Sequence, residues 1–331
     1  MMADFNNSSS ASPGGYELTD VWTDGVVLLV FNVFLWLVSL PFGTTWPVDL
    51  VWSNFPIYTC IAICVRDEEE RGNRDRQLMV VCLVCVWGFR LSHNFVARGG
   101  IGHEDWRYAD MRVRIGRWFW FVSFFSVFLG QCVFLWSGTL SLYGALTTPA
   151  PIGSLDWIAL VVTLFSILLE AISDIQMNNF IALRKEKKTD KVVIDTGVWS
   201  WSRHPNYLGE ILFWWGLYFF SMAGRGNDGR NEWWVVLGPV AMTILIGVIS
   251  TKLMEDRQLA NKGRAFVQYR RKVGSPLMIL PPGLNRLLGR CLYGSGDEDD
   301  GNSSSKNNYN EEDKPQEGSM ESKEEVTTIE R

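Results

Sequence analysis

The sequence predicts an all-α, polytopic membrane protein with about seven transmembrane helices between two disordered tails. Of its 331 residues, 47% are hydrophobic, including 16 Trp and 19 Phe. Between residues 20 and 255, long apolar stretches alternate with short charged or Gly- and Pro-rich stretches. Apolar stretches of this kind are typical of membrane helices, since about 20 such residues cross the hydrocarbon core of a bilayer.

The two ends of the chain are polar and are expected to lack fixed structure. Residues 1–19 are rich in Ser, Asn and Gly, and residues 294–331 are acidic with almost no apolar side chains. Segments of this composition cannot bury enough apolar surface to offset the entropy of ordering them. Residues 20–293 are therefore the predicted membrane domain. The net charge of −5 comes largely from the acidic tail and indicates no nucleic-acid partner.

Seven stretches are candidates for membrane helices. The second is interrupted by Pro56, and several are short enough to require tilt or local thinning of the bilayer. Six or eight spans are also compatible with the pattern. The candidates are residues 24–40, 50–65, 77–96, 118–137, 155–174, 206–222 and 233–251.

Lys and Arg are unevenly distributed between the loops. With seven spans, one side carries loops 41–49, 97–117 and 184–203 and the region 252–290, and this side holds most of the Lys and Arg residues. The positive-inside rule places such a side in the cytosol. The C-terminus is therefore predicted to be cytosolic, and the N-terminus lumenal or extracellular.

Three groups of polar residues lie in or beside the predicted spans. Arg90 lies in VWGFRLSHNF with His93 on the same helical face, and Glu170 and Asp174 share a face in LLEAISDIQMNNF. The third group is the stretch RHPNYLGE, residues 203–210. A charge in the bilayer interior costs several kcal/mol unless it faces a partner or a polar cavity. Ion pairs such as Arg90 with Asp174 would explain single groups, whereas all three together predict a shared polar cavity.

The stretch RHPNYLGE has the form of a helix start. Pro205 suits the first turn of a helix, and His204 before it is driven towards extended geometry. A helix N-terminus attracts phosphate, and the Arg203 guanidinium can bind phosphate in bidentate fashion. This pattern predicts a phosphate-bearing cofactor at a cytosolic helix end. The remaining polar side chains of the first turns would then face the cavity: Asn206, Tyr207 and Glu210.

A C-x-x-C sequence and a basic C-terminal segment are two further features of the chain. Cys82 and Cys85 form a C-x-x-C inside an apolar run, with no second pair or His at zinc spacing, so the sequence predicts buried helix residues and no metal site. Residues 252–282 are amphipathic and basic. They suit either a cap over the cofactor site or a helix lying on anionic lipid, and the pattern leaves both open.

GVWSWSRHPNYLGE and the aromatic span after it resemble the C-terminal domain of the steroid 5-alpha-reductase-like family, in the branch that carries R-H-P-N-Y-x-G-E. Two upstream stretches are similar to the same branch. These are VWGFRLSHNF with the GHEDWRY that follows, and EAISDIQMNNF. The resemblance covers roughly residues 45–282.

The resemblance implies a seven-helix fold that holds NADPH in a cavity open to the cytosol, with the cofactor-binding part at about residues 155–282. The implied reaction is hydride transfer to the β-carbon of an enone lipid, sterol-like or fatty acyl, that enters from the bilayer, with an acid that supplies the proton. It also implies a multi-pass protein of the endoplasmic reticulum. The implied cofactor-binding residues are Arg90, Asp174, Arg203, His204, Asn206, Tyr207 and Glu210.

The chain also departs from the family pattern. Asp49 and Tyr58 are the local candidates for the catalytic Glu–Tyr pair of steroid reductases, although Asp49 equally suits a helix start. Met177, Asn178 and Asn179 stand where the branch has basic residues, so the phosphate contacts are expected to differ there.

Two other classes of function are compatible with the sequence. Membrane methyltransferases of the isoprenylcysteine or phospholipid type share R-H-P-x-Y-x-G and a later acidic pair, matched here by Glu255 and Asp256, and use S-adenosylmethionine. The Arg90 and Asp174 motifs favour the reductase over this alternative. The third class is a membrane protein that binds lipid without catalysis.

Overall fold

The computed structural model describes residues 18–66, 72–224 and 233–294, and all regular secondary structure in them is helical, which confirms the all-α prediction. Most of both predicted disordered tails lies outside the described residues. The helices are α1 (Leu18–Phe42), α2 (Pro47–Arg66), α3 (Arg74–Ala97), α4 (Trp106–Ile115), α5 (Phe119–Ser123), α6 (Gly130–Thr147), α7 (Ser154–Lys185), α8 (Pro205–Ala223), α9 (Leu237–Met242), α10 (Thr251–Lys272) and α11 (Pro282–Tyr293). Turns of 3₁₀ helix span Gly116–Trp118, Gly197–Ser200 and Trp233–Val236, and π-helical segments Phe124–Leu129 and Thr243–Ser250 continue α5 into α6 and α9 into α10.

Six helices in the described part of the chain are long and apolar enough to cross a membrane, which makes this a polytopic membrane protein. They are α1, α2, α3, the helical segment Trp106–Thr147, α7 and the helical segment Trp234–Lys272. Glycines with positive φ, Gly116 and Gly263, interrupt the two longer segments. Each of the seven predicted stretches lies in a helix, but α8 is not among the six. Its first turns carry Asn206, Tyr207 and Glu210, which lower its hydropathy. It tolerates them because it packs between α6 and α7.

Helices α3 and α7 lie side by side and run in the same direction. Several polar contacts join them, and four of these link partners that are 80 residues apart in the sequence. A constant separation means that the two helices are parallel and in register. Both therefore begin at one end of the bundle and finish at the other. The four pairs are Arg76–Asp156, Arg90–Glu170, Asn94–Asp174 and Arg98–Asn178.

Helix α8 runs antiparallel to α7 and approaches it closely through two glycines. A Cβ atom on Gly209 would lie 2.4 Å from Glu170 Cγ, and one on Gly216 would lie 2.2 Å from Thr163 Oγ1. The glycines are seven residues apart and therefore share one face of α8. Small residues at such positions allow membrane helices to pack backbone against backbone.

Aromatic side chains fill the centre of the bundle around α8. Trp87 of α3 stacks on Phe213, with 4.3 Å between ring centroids, and meets Trp214 edge to face at 5.6 Å. All three are fully buried. The outer surface of α1 is apolar instead, with Val30 and Phe34 more than half exposed, as expected of a helix that faces lipid.

A buried ion pair closes the end of the bundle where α3 and α7 begin. Arg76 donates to both carboxylate oxygens of Asp156, at 2.7 and 3.0 Å, and neither side chain is exposed. The same guanidinium donates to the carbonyls of Thr148 and Ala150, at 3.3 and 3.1 Å. Asp156 also accepts from the Gly153 N–H at 2.9 Å, so the pair joins the α6–α7 loop to both helices.

We expect Arg76→Met to lower the free energy of unfolding by about 3–5 kcal/mol, because it leaves the Asp156 charge buried without its partner. The measurement is reversible unfolding in detergent. Arg74→Met, which changes an exposed arginine two residues earlier, is the matched control and should cause little change. Equal effects of the two substitutions would contradict a structural role for the buried pair.

Candidate functional site

The three predicted polar groups meet where α3, α7 and α8 come together. Arg90 contacts two acidic residues of α7, Glu170 and Asp174, with 2.9 Å between Arg90 Nη1 and Asp174 Oδ2. Asn94 Nδ2 donates to the same Asp174 oxygen at 2.8 Å, and Arg98 Nη2 lies 3.3 Å from the other. The predicted Arg90–Asp174 ion pair is therefore present, within a larger cluster. His93, by contrast, is exposed.

Glu210 of α8 completes this cluster. Its Oε1 atom accepts hydrogen bonds from Trp52 Nε1 at 2.9 Å and Trp214 Nε1 at 3.4 Å. Its carboxyl group also interacts electrostatically with Arg90 and Glu170. The close approach at Gly209 makes this possible, since it brings the first turns of α8 against Glu170. Four helices, α2, α3, α7 and α8, thus contribute to one polar cluster, which we call the Arg90 cluster.

The Arg90 cluster has capacity for a polar ligand. Arg90 Nε and Asn206 Oδ1 are buried and have no hydrogen-bond partner among the described residues. Buried polar atoms in proteins are nearly always paired, so each marks a place where a bound group could contribute a partner. The cluster contains three carboxyl groups, those of Glu170, Asp174 and Glu210, and only two guanidinium groups. This excess of carboxyl groups favours a neutral or cationic ligand group over a phosphate.

The residues before α8 form a second cluster, which does not have the geometry predicted for it. Helix α8 begins at Pro205 as predicted. Arg203, however, is buried and bonded to the protein's own C-terminal segment. Its Nε donates to Glu255 at 2.6 Å, its Nη1 to the carbonyls of Val273 and Gly274 at 2.7 and 2.8 Å, and its Nη2 to the Tyr293 hydroxyl at 3.0 Å. All three guanidinium nitrogens of Arg203 therefore donate to groups of the protein itself. Its assignment as a cofactor contact stays a prediction from the resemblance.

His204 is buried and makes two contacts within this second cluster. Its Nε2 lies 3.3 Å from Glu255 Oε1, and its ring stacks on Tyr207 with 5.2 Å between centroids. Burial lowers the pKa of His204, and the contact with Glu255 opposes that shift only in part. Asp256, the other half of the acidic pair, is exposed.

The loop before α8 is also bonded to α7 and α10. Trp199 Nε1 donates to the Ser173 carbonyl at 3.1 Å, and the Val198 N–H donates to Gln176 Oε1 at 3.0 Å. The Tyr269 hydroxyl donates to the Trp199 carbonyl at 2.6 Å. These contacts hold the second cluster beside the Arg90 cluster.

Several residues of the two clusters were not among the predicted site residues. An apolar or aromatic residue in an apolar span gives no sign of its role, and the partners of Arg203 lie 52 to 90 residues away in sequence. The signal that could have found Asn94 was its spacing of four from Arg90, matching that of Glu170 and Asp174. The added residues are Trp52, Asn94, Arg98, Glu170, Trp214, Glu255 and Tyr269.

The two predicted catalytic residues lie apart. Asp49 is in the first turn of α2, near Arg107 and Tyr108 of α4. The Tyr58 hydroxyl is 3.4 Å from Asp24 Oδ1, beside Arg66, and the residue is 39% exposed. Nine residues of helix separate the two by about 13 Å along its axis. They do not form a pair, and their catalytic role stays a prediction.

The cysteine prediction was partly wrong. Cys60 and Cys132 are buried, but Cys82 of the C-x-x-C is exposed on α3 and Cys85 is half-buried. In a membrane helix the apolar residues face lipid as readily as they face the core, so an apolar neighbourhood does not predict burial. The residues that the structure describes contain no group of His, Cys, Asp and Glu arranged to hold a metal ion.

A family model described as "Protein of unknown function (DUF1295)" matches residues 35–273. The chain belongs to the DUF1295 family. The match includes α2, α3, α7, α8 and α10, and so the Arg90 cluster and all of the second cluster except Gly274 and Tyr293. The narrower steroid 5-alpha-reductase-like branch stays an interpretation of the motifs.

Two curated relatives bear on the site. The uncharacterized protein C594.04c of Schizosaccharomyces pombe is 27% identical over 282 residues, covering 78% of this chain and 80% of its own. The protein-S-isoprenylcysteine O-methyltransferase of Saccharomyces cerevisiae is 30% identical over 99 residues, which cover 28% of this chain and 35% of the methyltransferase. No solved structure matches significantly.

We expect Gly209→Ala to destabilise the protein by about 1–3 kcal/mol, the usual cost of overpacking a close contact. The added Cβ would lie 2.4 Å from Glu170 Cγ and 2.9 Å from the Ser166 carbonyl oxygen, forcing α8 away from α7. Thermal unfolding in detergent measures the effect. Gly130→Ala is the control, because its Cβ would meet its nearest atom at an ordinary 3.5 Å. If both variants unfold at the same temperature, the close contact does not matter.

His204 should make stability depend on pH. Because its pKa is lowered in the folded protein, the unfolded chain binds the proton more readily, and the contribution of neutral His204 is lost as the pH falls below about 6.5. We expect the unfolding temperature of the natural protein to fall more steeply below that pH than that of His204→Gln. Parallel pH profiles would show that His204 does not titrate on unfolding.

Proposed function

We propose that this protein is a membrane-bound oxidoreductase that uses NADPH to reduce a carbon–carbon double bond in an enone lipid entering from the bilayer. The observation that carries the proposal is the Arg90 cluster, in which Arg90, Asp174 and Glu210 converge among membrane helices. The unpartnered Arg90 Nε and Asn206 Oδ1 support a ligand that brings hydrogen-bonding groups to this place.

The residues present fit NADPH if its nicotinamide end lies at the Arg90 cluster and its phosphates lie at the end of α7. The carboxylates and amides of the Arg90 cluster suit the carboxamide and ribose hydroxyls at the nicotinamide end, which can donate to Asp174 and Asn206. Phosphates would be repelled there, and we assign them instead to the basic end of α7 and the loop after it. That segment carries Arg184, Lys185, Lys187 and Lys188.

When bound, NADPH would supply the hydride, and the residues of this chain would position it and exclude water. The ion pairs of Arg90 hold Glu170 and Asp174 in fixed orientations on α7. Trp52 and Trp214 hold Glu210 from two sides and keep the cluster among aromatic side chains. A site with fixed dipoles and little water avoids reorganisation during reaction.

The parallel course of α3 and α7 also supports one orientation in the membrane. Both helices end on the side that carries the basic loops after residues 97 and 184. With the positive-inside rule, we infer that this side and the C-terminus are cytosolic and that the N-terminus is lumenal. We propose the endoplasmic reticulum as the location, since lipid reductases of the resembled family suggest it.

S-adenosylmethionine-dependent methyl transfer is the second candidate. The partial match to the isoprenylcysteine methyltransferase of S. cerevisiae favours it. The excess of carboxyl groups over guanidinium groups in the Arg90 cluster also suits the cationic sulfonium and ammonium groups of S-adenosylmethionine.

Cofactor binding to the purified protein separates these candidates. We expect NADPH to raise the unfolding temperature, since a ligand at about 100 times its dissociation constant adds about 2.7 kcal/mol of stability. NADH and S-adenosylmethionine should have smaller effects. Asp174→Asn and Glu210→Gln should abolish the shift, and Asp75→Asn, at the opposite end of α3, should retain it.

A shift with S-adenosylmethionine alone, lost in the same two variants, would replace the reductase by the methyltransferase. No shift with any of the three compounds, in a protein that unfolds cooperatively, would contradict both enzymes and favour a lipid-binding protein.

A further inference from the structure

Helix α11 has an apolar stripe that no described residue covers. Its apolar residues recur at the spacing of one helical face and include three leucines more than half exposed, Leu284 at 51%, Leu287 at 60% and Leu292 at 58%. This spacing is typical of a helix that lies on an apolar surface. The stripe is formed by Leu284, Leu287, Leu288, Cys291 and Leu292.

The face of α11 next to the stripe is fixed to the protein, so the stripe has a defined direction. A Cβ on Gly289 would lie 2.1 Å from the Arg271 carbonyl oxygen, which shows how closely α11 packs on the end of α10. Asn285 is fully buried. It accepts from the Ser275 N–H at 2.9 Å and donates to the Trp201 carbonyl at 2.7 Å.

The charges of α11 identify the surface that it fits. The helix contains Arg286 and Arg290 and no Asp or Glu, and α10 ends beside it with Arg270, Arg271 and Lys272. A helix with apolar residues on one face and only basic charges of its own suits anionic lipid at the membrane interface.

The attachment of α11 places it at the level of a membrane surface. The Leu280 N–H just before α11 donates to the Trp201 carbonyl, and Trp201 lies four residues before α8 begins at Pro205. Trp201 is itself 46% exposed. Exposed Trp residues at helix ends are typical of the boundary between lipid and water. These contacts put the start of α11 beside the N-terminal end of α8.

We propose that α11 is an in-plane membrane anchor whose leucine stripe inserts into the interface of the leaflet at the N-terminal end of α8, with Arg286 and Arg290 at anionic lipid headgroups. The Tyr293 hydroxyl accepts from Arg203, and Asn285 holds Trp201. Lipid binding by α11 therefore fixes the loop that carries Arg203 and His204. The inference stands whichever cofactor the Arg90 cluster binds.

Spin-label accessibility in lipid nanodiscs tests this anchor in the full chain. The native Cys291 of the stripe is labelled with a nitroxide after Cys64→Ala, Cys82→Ala and Cys85→Ala, in a background that must unfold at the natural temperature. The matched position is Arg286→Cys with Cys291→Ser, which puts the label on the same helix but off the stripe. Collisions with oxygen, which is soluble in lipid, are compared with collisions with an aqueous nickel chelate. Discs of phosphatidylcholine alone are compared with discs that also contain phosphatidylserine.

We expect the oxygen-to-nickel ratio at residue 291 to exceed that at residue 286 severalfold, and to rise further with phosphatidylserine. The paired substitutions Arg286→Gln and Arg290→Gln should remove the response to phosphatidylserine while the label at 291 stays in lipid. Equal nickel access at the two positions in both discs would place α11 in water and overturn the proposal. A label at 291 shielded from both collision partners would also overturn it, since protein would then cover the stripe.

Discussion

The ion pairs of Arg90 with Glu170 and Asp174 of α7 are the constraint on which the rest of this structure depends. Three ionisable groups inside membrane helices are stable only when they meet, and they meet only if α3 and α7 are parallel and in register. The Arg76–Asp156 pair repeats the same offset at the other end of the helices, so the two helices are matched at both ends.

Helix α8 is the element that turns a structural ion pair into a candidate site. Its glycines bring its backbone against α7, and that approach delivers Glu210 and Asn206 to the Arg90 cluster. The same closeness explains how a helix with a polar beginning remains inside the bundle. A bulkier residue at position 209 would leave every charged residue in place but would move Glu210 of α8 away from Glu170 of α7.

The C-terminal segment has a role that its composition did not indicate. Arg203 lies at the point where loop, α10 and α11 meet, and its donors satisfy two carbonyls, a carboxylate and a hydroxyl from that segment. Acidic and basic groups therefore lie in different parts of the protein. The interior cluster carries an excess of carboxyl groups, whereas the basic residues that could meet phosphate lie beyond it, at the end of α7.

The sequence by itself determined the helical membrane class and the start of α8 at Pro205, and it named Arg90 with Asp174 as an ion pair that would explain single polar groups. It could do so because length and hydropathy mark a span, proline restricts its backbone locally, and an isolated charge in lipid requires a partner. Only the tertiary structure decided which way each helix is turned. Lipid and protein core are both apolar, so hydropathy did not show that Cys82 faces outward, that Tyr58 lies far from Asp49, or that Glu210 meets Trp52. The partners of Arg203 were equally out of reach, because they depend on how residues 255–293 fold back, and no local pattern encodes that contact.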